Sequence, residues 1–212
     1  MTELYIIGAG GFGRETADVV EAHARAVGAD AWQIAGVYDD RPAEVHLDRL
    51  ADRGLTYLGV VPEHPPVPDA PVIVAIGAPA VRRRIVERLS TAGWSFPTVV
   101  HPDAVIGSQV TMGEGVVVCG GVQISTNVHL GDQVHVNPNA TIGHDARLDD
   151  FTSVNPAAVI SGEVRVSSGT LIGASATVLQ GLTVHADVLV GACACVTRDV
   201  SAGLTVKGVP AR

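Results

Sequence analysis

An aliphatic residue returns at every sixth position through the second half of this chain, and that period excludes most folds a sequence of this size could take. Stepping by six from Ile106 meets Met112, Val118, Ile124, Leu130, Val136, Ile142, Leu148, Val154, Ile160, Val166, Ile172, Val178, Val184, Val190 and Val196. Four residues after each comes a second small or β-branched residue, among them Val116, Val122, Val128, Val134, Ala140, Ala146, Thr152, Ala158 and Val164. A helix repeats every 3.6 residues or so and a lone strand every 2 or so, whereas a coil that turns a corner after each short flat face repeats about every six. Three such faces close a coil of about 18 residues, whose inward aliphatics stack in columns from coil to coil and are stable only as an array. The spacing predicts an uninterrupted register from Val105 to Val206, about five coils and roughly 24 Å tall at the ~4.8 Å strand spacing. Gly107, Gly113, Gly131, Gly143, Gly173 and Gly191 are expected at corners that need a positive φ or a close backbone approach.

Composition agrees: 47% hydrophobic residues with only 4% aromatics suits an interior of Val, Ile and Ala. A net charge of −8, with no basic run, argues against nucleic acid as a partner. Cys119, Cys193 and Cys195 fall inside hexapeptides at no metal-ligand spacing and read as packing or wall residues in a reducing cytoplasm. No apolar run is long enough to span a membrane and the start lacks the pattern of a signal peptide, so a soluble cytoplasmic protein is expected.

The first 98 residues carry a different pattern. Leu4 to Ile7 is a short apolar run that ends in Gly8-Ala9-Gly10-Gly11-Phe12-Gly13, and a helical pattern begins at Arg14 with Ala17, Val20, Ala24 and Val27 on one face. Ile34 to Tyr38 reads as a second strand that delivers Asp39-Asp40. Val72 to Ile76 reads as a third, followed by a helix opened by Pro79. In that helix Val81, Ile85 and Leu89 are expected inward and Arg82, Arg83, Arg84 and Arg88 outward. The segment from Arg41 to Ala70 reads as mostly loop with one short strand. Trp94 and Phe96, at the junction, are expected to cap the open end of the solenoid.

A glycine loop between strand and helix can hold an anion on backbone N–H groups, and an acidic residue closing the next strand can bind a hydroxyl or a base edge. Alone, the pattern suggests a nicotinamide dinucleotide. The segment is long enough for only one mononucleotide-binding half, so a nucleotide-sugar diphosphate held by Gly8, Gly10, Gly11 and Gly13 with Asp39 and Asp40 fits better; a tight turn without ligand is the alternative.

Of the eight histidines, His144 stands apart. It follows Ile142-Gly143 at a corner, beside Asp145, with Asn137 and Asn139 about a third of a coil earlier, whereas His129, His135 and His185 project from walls or corners. A histidine whose second nitrogen is held by a carboxylate can act as a general base near neutral pH. Position alone leaves open both a catalytic base and a solvated corner residue.

The hexapeptides resemble the left-handed parallel β-helix of the bacterial hexapeptide acyltransferases. The order Gly8 to Glu15, Tyr38-Asp39-Asp40, His101-Pro102-Asp103-Ala104, Asn137 to His144-Asp145, and Gly208-Val209-Pro210-Ala211 is similar to the sialic acid O-acetyltransferase and bacillosamine N-acetyltransferase family. The resemblance implies a small Rossmann-like acceptor domain over 1–98 and a left-handed β-helix over 99–212. It also implies acetyl-CoA as co-substrate, no metal, and a homotrimer with active sites between subunits. It makes His144 the general base with Asp145 behind it, and Asn137 a lining residue of the acceptor pocket. Ser153, Gly162, Ala174 and Ala192 become positions near the coenzyme, and Phe12 joins the glycines and Asp39-Asp40 at the nucleotide. Relatives often carry histidine where this chain has Phe12 and Ser153. A zinc enzyme of the carbonic anhydrase type needs three convergent ligands, and His129 and His135 lie on successive faces; a nucleotide-sugar-binding trimeric scaffold without catalysis is the other alternative.

Overall fold

The computed structural model describes residues 2–28 and 32–212. The chain divides into two compact units, Met1–Gly77 with Val81–Pro102, and Ala78–Ala80 with Asp103–Arg212. Among the described residues no helix is long and apolar enough to cross a membrane.

In the first unit, strands β1 (Thr2–Ile7), β2 (Trp32–Tyr38), β3 (Tyr57–Gly59) and β4 (Val72–Val74) form a parallel sheet in the order β3-β2-β1-β4. Helices α1 (Gly11–Val27), α2 (Glu44–Asp52) and α3 (Pro79–Ala92) connect and flank them. The fully apolar runs of β1 and β4 are buried along with Ala17 and Val20 of α1. Helix α1 begins at Gly11, earlier than the Arg14 expected, because Gly10 takes an extended conformation and serves as N-cap. Val27, at the helix end, is exposed rather than inward.

Three further expectations fail here, each for a packing reason. The segment after Asp40 contains α2, not mostly loop; only Leu50 of that helix is buried, so it has almost no apolar period to read. Helix α3 buries Arg82, Val86 and Leu89, rotating the expected inward face away from Val81 and Ile85. Arg82 is accommodated because its guanidinium donates to the carbonyls of Ile76 at 2.6 Å and Gly77 at 3.4 Å, the chain entering the helix. Burial, with Arg83 adding, pushes its pKa down to about 9, which leaves it charged at neutral pH. Trp94 does not cap the solenoid. It packs edge-on to Tyr5 and Tyr38 at centroid distances of 5.8 and 6.3 Å, inside the first unit.

In the second unit the sixfold register becomes three walls of two-residue strands, each pairing in parallel with the strand eighteen residues on. The first wall holds Val105–Ile106, Gln123–Ile124, Thr141–Ile142, Val159–Ile160, Thr177–Val178 and Cys195–Val196; the second runs from Thr111–Met112 to Thr183–Val184; the third includes Val117–Val118, His135–Val136, Ser153–Val154, Leu171–Ile172, Leu189–Val190 and Thr205–Val206. From Ile124 to Val196 every column aliphatic is buried, as are Val116 to Val164 at the second inward position. Where a hydroxyl takes that second position it bonds the turn: Thr152 Oγ1 donates to the Asp149 carbonyl at 2.7 Å and Thr170 Oγ1 to that of His185 at 2.8 Å. The expected register holds to Val196 and then contracts. Leu189 pairs with Thr205, sixteen residues on rather than eighteen, so the last coil is two residues short.

The corners follow a stricter rule than the glycines suggested. Positive φ falls three residues after each inward aliphatic from Met112 to Val190, at Asn127, Gln133, Asn139, Asp145, Phe151, Ala157, Glu163, Ser175, Asp187 and Cys193, and at glycines such as Gly115 and Gly121. Left-handed backbone at a non-glycine residue costs about 1–2 kcal/mol. Here the N–H of each of those ten non-glycine residues is tied to a carbonyl one coil earlier, as from Asp145 to Thr126 at 3.1 Å and Glu163 to His144 at 2.8 Å. Gly107, Gly113, Gly131, Gly143 and Gly173 do not need positive φ; they are required by close approach, since a Cβ on Gly143 would stand 2.5 Å from the Gly162 nitrogen.

Candidate active site

The corner between the first and second walls presents two columns of side chains. Ser108, Thr126, His144 and Gly162 stack at the second residue after the inward aliphatic, and Gln109, Asn127, Asp145 and Glu163 at the third. His144 Nδ1 lies 2.7 Å from Asp145 Oδ2, and Asn127 Nδ2 donates to Asp145 Oδ1 at 2.6 Å. Asp145 is thus gripped at both oxygens. Its pKa is held below the usual carboxylate value, first by the Asn127 hydrogen bond and then by His144. Because a carboxylate can only accept, Nδ1 carries the proton in neutral His144 and Nε2 is left with a lone pair. The ring lies against Gly162: a Cβ there would stand 2.5 Å from Nε2. His144 and Asp145 remain about half exposed, at 49% and 45% of their side-chain surface.

Glu163 and Asn127 are the members of this corner that sequence reading missed. Both lie eighteen residues from Asp145, so stacking arithmetic from the sixfold register would have found them. The ligating atoms of His144, Asp145 and Glu163 lie within 4.8 Å of one another, and among the described residues this is the one group of three or more such side chains close enough to share an ion. His129 and His135 are in different walls, as the spacing required. His129 bonds Thr111 Oγ1 at 2.8 Å, while His135 is fully buried, contrary to its expected projection, between Val117 and Ser153 in a stretch of the third wall that is covered throughout.

The other solenoid residues lie elsewhere. Asn137, only 7% exposed, belongs to the corner between the third and first walls, and its Nδ2 donates to the Val154 carbonyl at 3.0 Å. Asn139, Ala174 and Ala192 share that corner. Within one chain, therefore, the width of the first wall separates Asn137, Ala174 and Ala192 from His144, and they form no single cluster. Ser153 has no exposed surface.

In the first unit a cleft of about 630 Å³ is lined by Gly8, Asp39, Asp40, Arg41, Arg84 and Arg88, over an apolar floor that includes Ile7 and Ile76. It opens at the carboxyl ends of β1, β2 and β4, where the strand order reverses on either side of β1; that crevice is where open α/β sheets bind ligands. Asp39 builds its rim: Oδ2 accepts from the Ala9 N–H at 2.8 Å and Oδ1 from that of Arg41 at 2.9 Å. Asp40 Oδ1 accepts from the Val61 N–H at 2.9 Å. The glycines divide by role. Gly8 has φ +117° and lines the cleft; Gly13 packs so closely that a Cβ would fall 1.7 Å from the Gly8 carbonyl oxygen. Gly10, Gly11 and the half-buried Phe12 stand outside the cleft lining, with open space beside both glycines.

Residues 3–89 match the family model of the PglD N-terminal domain. Over 52 residues, 24% of this chain and 24% of the relative, the sequence is 35% identical to the UDP-N-acetylbacillosamine N-acetyltransferase of Bacillus subtilis, so that match spans about a quarter of the curated relative's length. The acetyltransferase domain of PglB from Neisseria gonorrhoeae superposes with a TM-score of 0.86 at 29% identity, covering 100% of this chain and 99% of that one. Perosamine N-acetyltransferase from Caulobacter crescentus, in complex with CoA and GDP-perosamine, matches at 30% identity over 100% of this chain and 96% of that one, with a TM-score of 0.78. The chain belongs to the hexapeptide-repeat sugar acetyltransferases. As in that family, an α/β domain precedes a left-handed parallel β-helix. The interior of the coil is filled with buried aliphatic side chains, which leaves its outward corners and walls as the surfaces open to a ligand.

Proposed function

We propose that the chain transfers acetyl from acetyl-CoA to the amine of a nucleotide-linked amino sugar, with His144 as general base. The observation that carries this is the His144 corner: Nδ1 fixed on Asp145, Nε2 free, and Gly162 leaving room for the ring. The acceptor amine attacks the thioester carbonyl and passes its proton to Nε2. The tetrahedral intermediate then expels the coenzyme thiolate, which the imidazolium reprotonates, so proton and electron pairs balance without a covalent enzyme intermediate. Asp145 stabilises the imidazolium in between. The Gly162 N–H is the candidate donor to the oxyanion.

A homotrimer supplies what one chain lacks. A second copy set against the His144 corner would bring its own third-to-first-wall corner, with Asn137, Ala174 and Ala192, beside that histidine; the small Ala side chains suit a coenzyme groove. Ser153 faces a coenzyme less readily, being buried. The acceptor's nucleotide fits the cleft lined by Gly8, Asp39 and Asp40. Three free cysteines suit a reducing cytoplasm.

The test is acetyl-CoA-dependent thiol release across a panel of nucleotide-linked amino sugars and free sugars. Turnover with an amino sugar, reduced about 10²–10⁴-fold in His144→Ala with acetyl-CoA binding retained, is the expected result. Unchanged turnover in that variant would remove His144 from the reaction.

A further inference from the structure

We infer that Arg84 and Arg88 of α3, with Arg41 across the cleft, hold the diphosphate of the acceptor, and that the glycine loop shapes the cleft without binding phosphate. The ligand's identity rests on the reading of the acceptor as a nucleotide sugar; the anion site rests on the cleft itself.

Arg84 and Arg88 are four residues apart on α3, hence on one face, and that face lines the cleft. Three guanidinium groups of this unit are engaged, Arg53 with Asp18 and Glu21, Arg14 with the Ala9 carbonyl and Arg82 with that of Ile76, while Arg25 and Arg49 lie outside the cleft lining. Among the described residues the side chains of Arg41, Arg84 and Arg88 have no hydrogen bond or ion pair. The facing carboxylates do not neutralise them by contact, since Asp39 spends both oxygens, and Asp40 one, on backbone N–H groups. Three guanidinium groups against two carboxylates leave the cleft a cationic excess. Its two sides differ in sign, β2 delivering acid and α3 delivering base.

A nucleoside diphosphate matches that division, its hydroxyls and base edge toward Asp39 and Asp40 and its phosphates toward α3, where the planar guanidinium donates in pairs. The volume is in the range of small-molecule sites. Of the loop's glycines only Gly8 lines the cleft, and the Ala9 N–H is already held by Asp39 Oδ2 at 2.8 Å.

Calorimetric titration of the full chain with UDP, GDP, uridine and guanosine tests this. The nucleotide the chain prefers should bind at least about 10-fold more weakly to Arg84→Gln or Arg88→Gln, and about 100-fold or more weakly to the double variant, while its nucleoside binds all forms alike. Arg84→Lys should recover part of the loss, and acetyl-CoA binding should stay unchanged. With an acetyl acceptor in hand, KM should rise by similar factors at unaltered kcat. Wild-type affinity for the diphosphate in the double variant, equal loss for diphosphate and nucleoside, or no diphosphate binding to the wild-type chain would each overturn the assignment. Diphosphate binding lost in the double variant without acetyl transfer to any nucleotide sugar would sink the proposed function and leave the anion site standing.

Discussion

The two units solve the same problem, placing polar groups beside an apolar core, by opposite means. In the solenoid a position's role is fixed by its distance from an inward aliphatic: zero is core, one is close approach, two is an outward corner side chain, three is left-handed backbone. In the α/β unit no such rule exists. Arg82 is buried and Val27 exposed because of which neighbours happen to lie nearby. The comparison teaches that a repeat makes sites computable from sequence spacing, whereas a layered sheet makes them depend on contacts that spacing does not encode.

Glycine substitutions break this comparison most severely. In the α/β unit, Gly13→Ala places a Cβ 1.7 Å from the Gly8 carbonyl oxygen. Neither backbone can yield, so a loss of about 3 kcal/mol or more is expected by urea denaturation. Its neighbour Gly10→Ala, with nothing within 4 Å, should fall within about 0.5 kcal/mol of wild type. In the solenoid, Leu148→Ala removes a fully buried column residue, and about 2–5 kcal/mol should disappear from the unfolding free energy.

Gly162→Ala sharpens the contrast, because the group it meets is the movable His144 ring rather than backbone. The unfolding free energy should change by less than about 1 kcal/mol while kcat falls about 10-fold or more, since small misplacements of a reacting group are costly. Equal losses of stability and activity would show that the ring is not free to move.

The smallest effect is at Asp145. Its folded-state pKa is depressed, so the stability it adds is present above the unfolded value of 3.8 and is lost as pH falls through the lower folded value. Asn127→Ala removes the larger cause and should raise that carboxyl's titration midpoint, read by NMR, with little change in stability at neutral pH.

The second unit was legible nearly to the residue, and its corner at His144 with it, because Ile142 inward leaves His144 two positions on and outward. Asn127 and Glu163 were equally encoded, one coil away. The shortened last coil was not legible, since nothing in the run after Val196 announces the loss of two residues. In the first unit the β1 run, the glycine loop and Asp39-Asp40 were visible as local patterns. Helix α2 was hidden by having one buried residue, and Trp94 was misplaced because its partners Tyr5 and Tyr38 are distant in sequence. Arg84 and Arg88 read as a solvated face; only the reversal of strand order around β1 brings them to the cleft.

The eighteen-residue stack also limits how such a chain can change length. Insertion or loss of a whole coil lengthens or shortens the prism and leaves each corner where it was. Six residues more, placed between Asn127 and His144, would keep every aliphatic inward and yet carry the histidine, with Gly162 stacked beside it, to a different edge from Asn127. Packing alone would tolerate a change of one hexapeptide, but only a change of whole coils leaves the stacked corner side chains together.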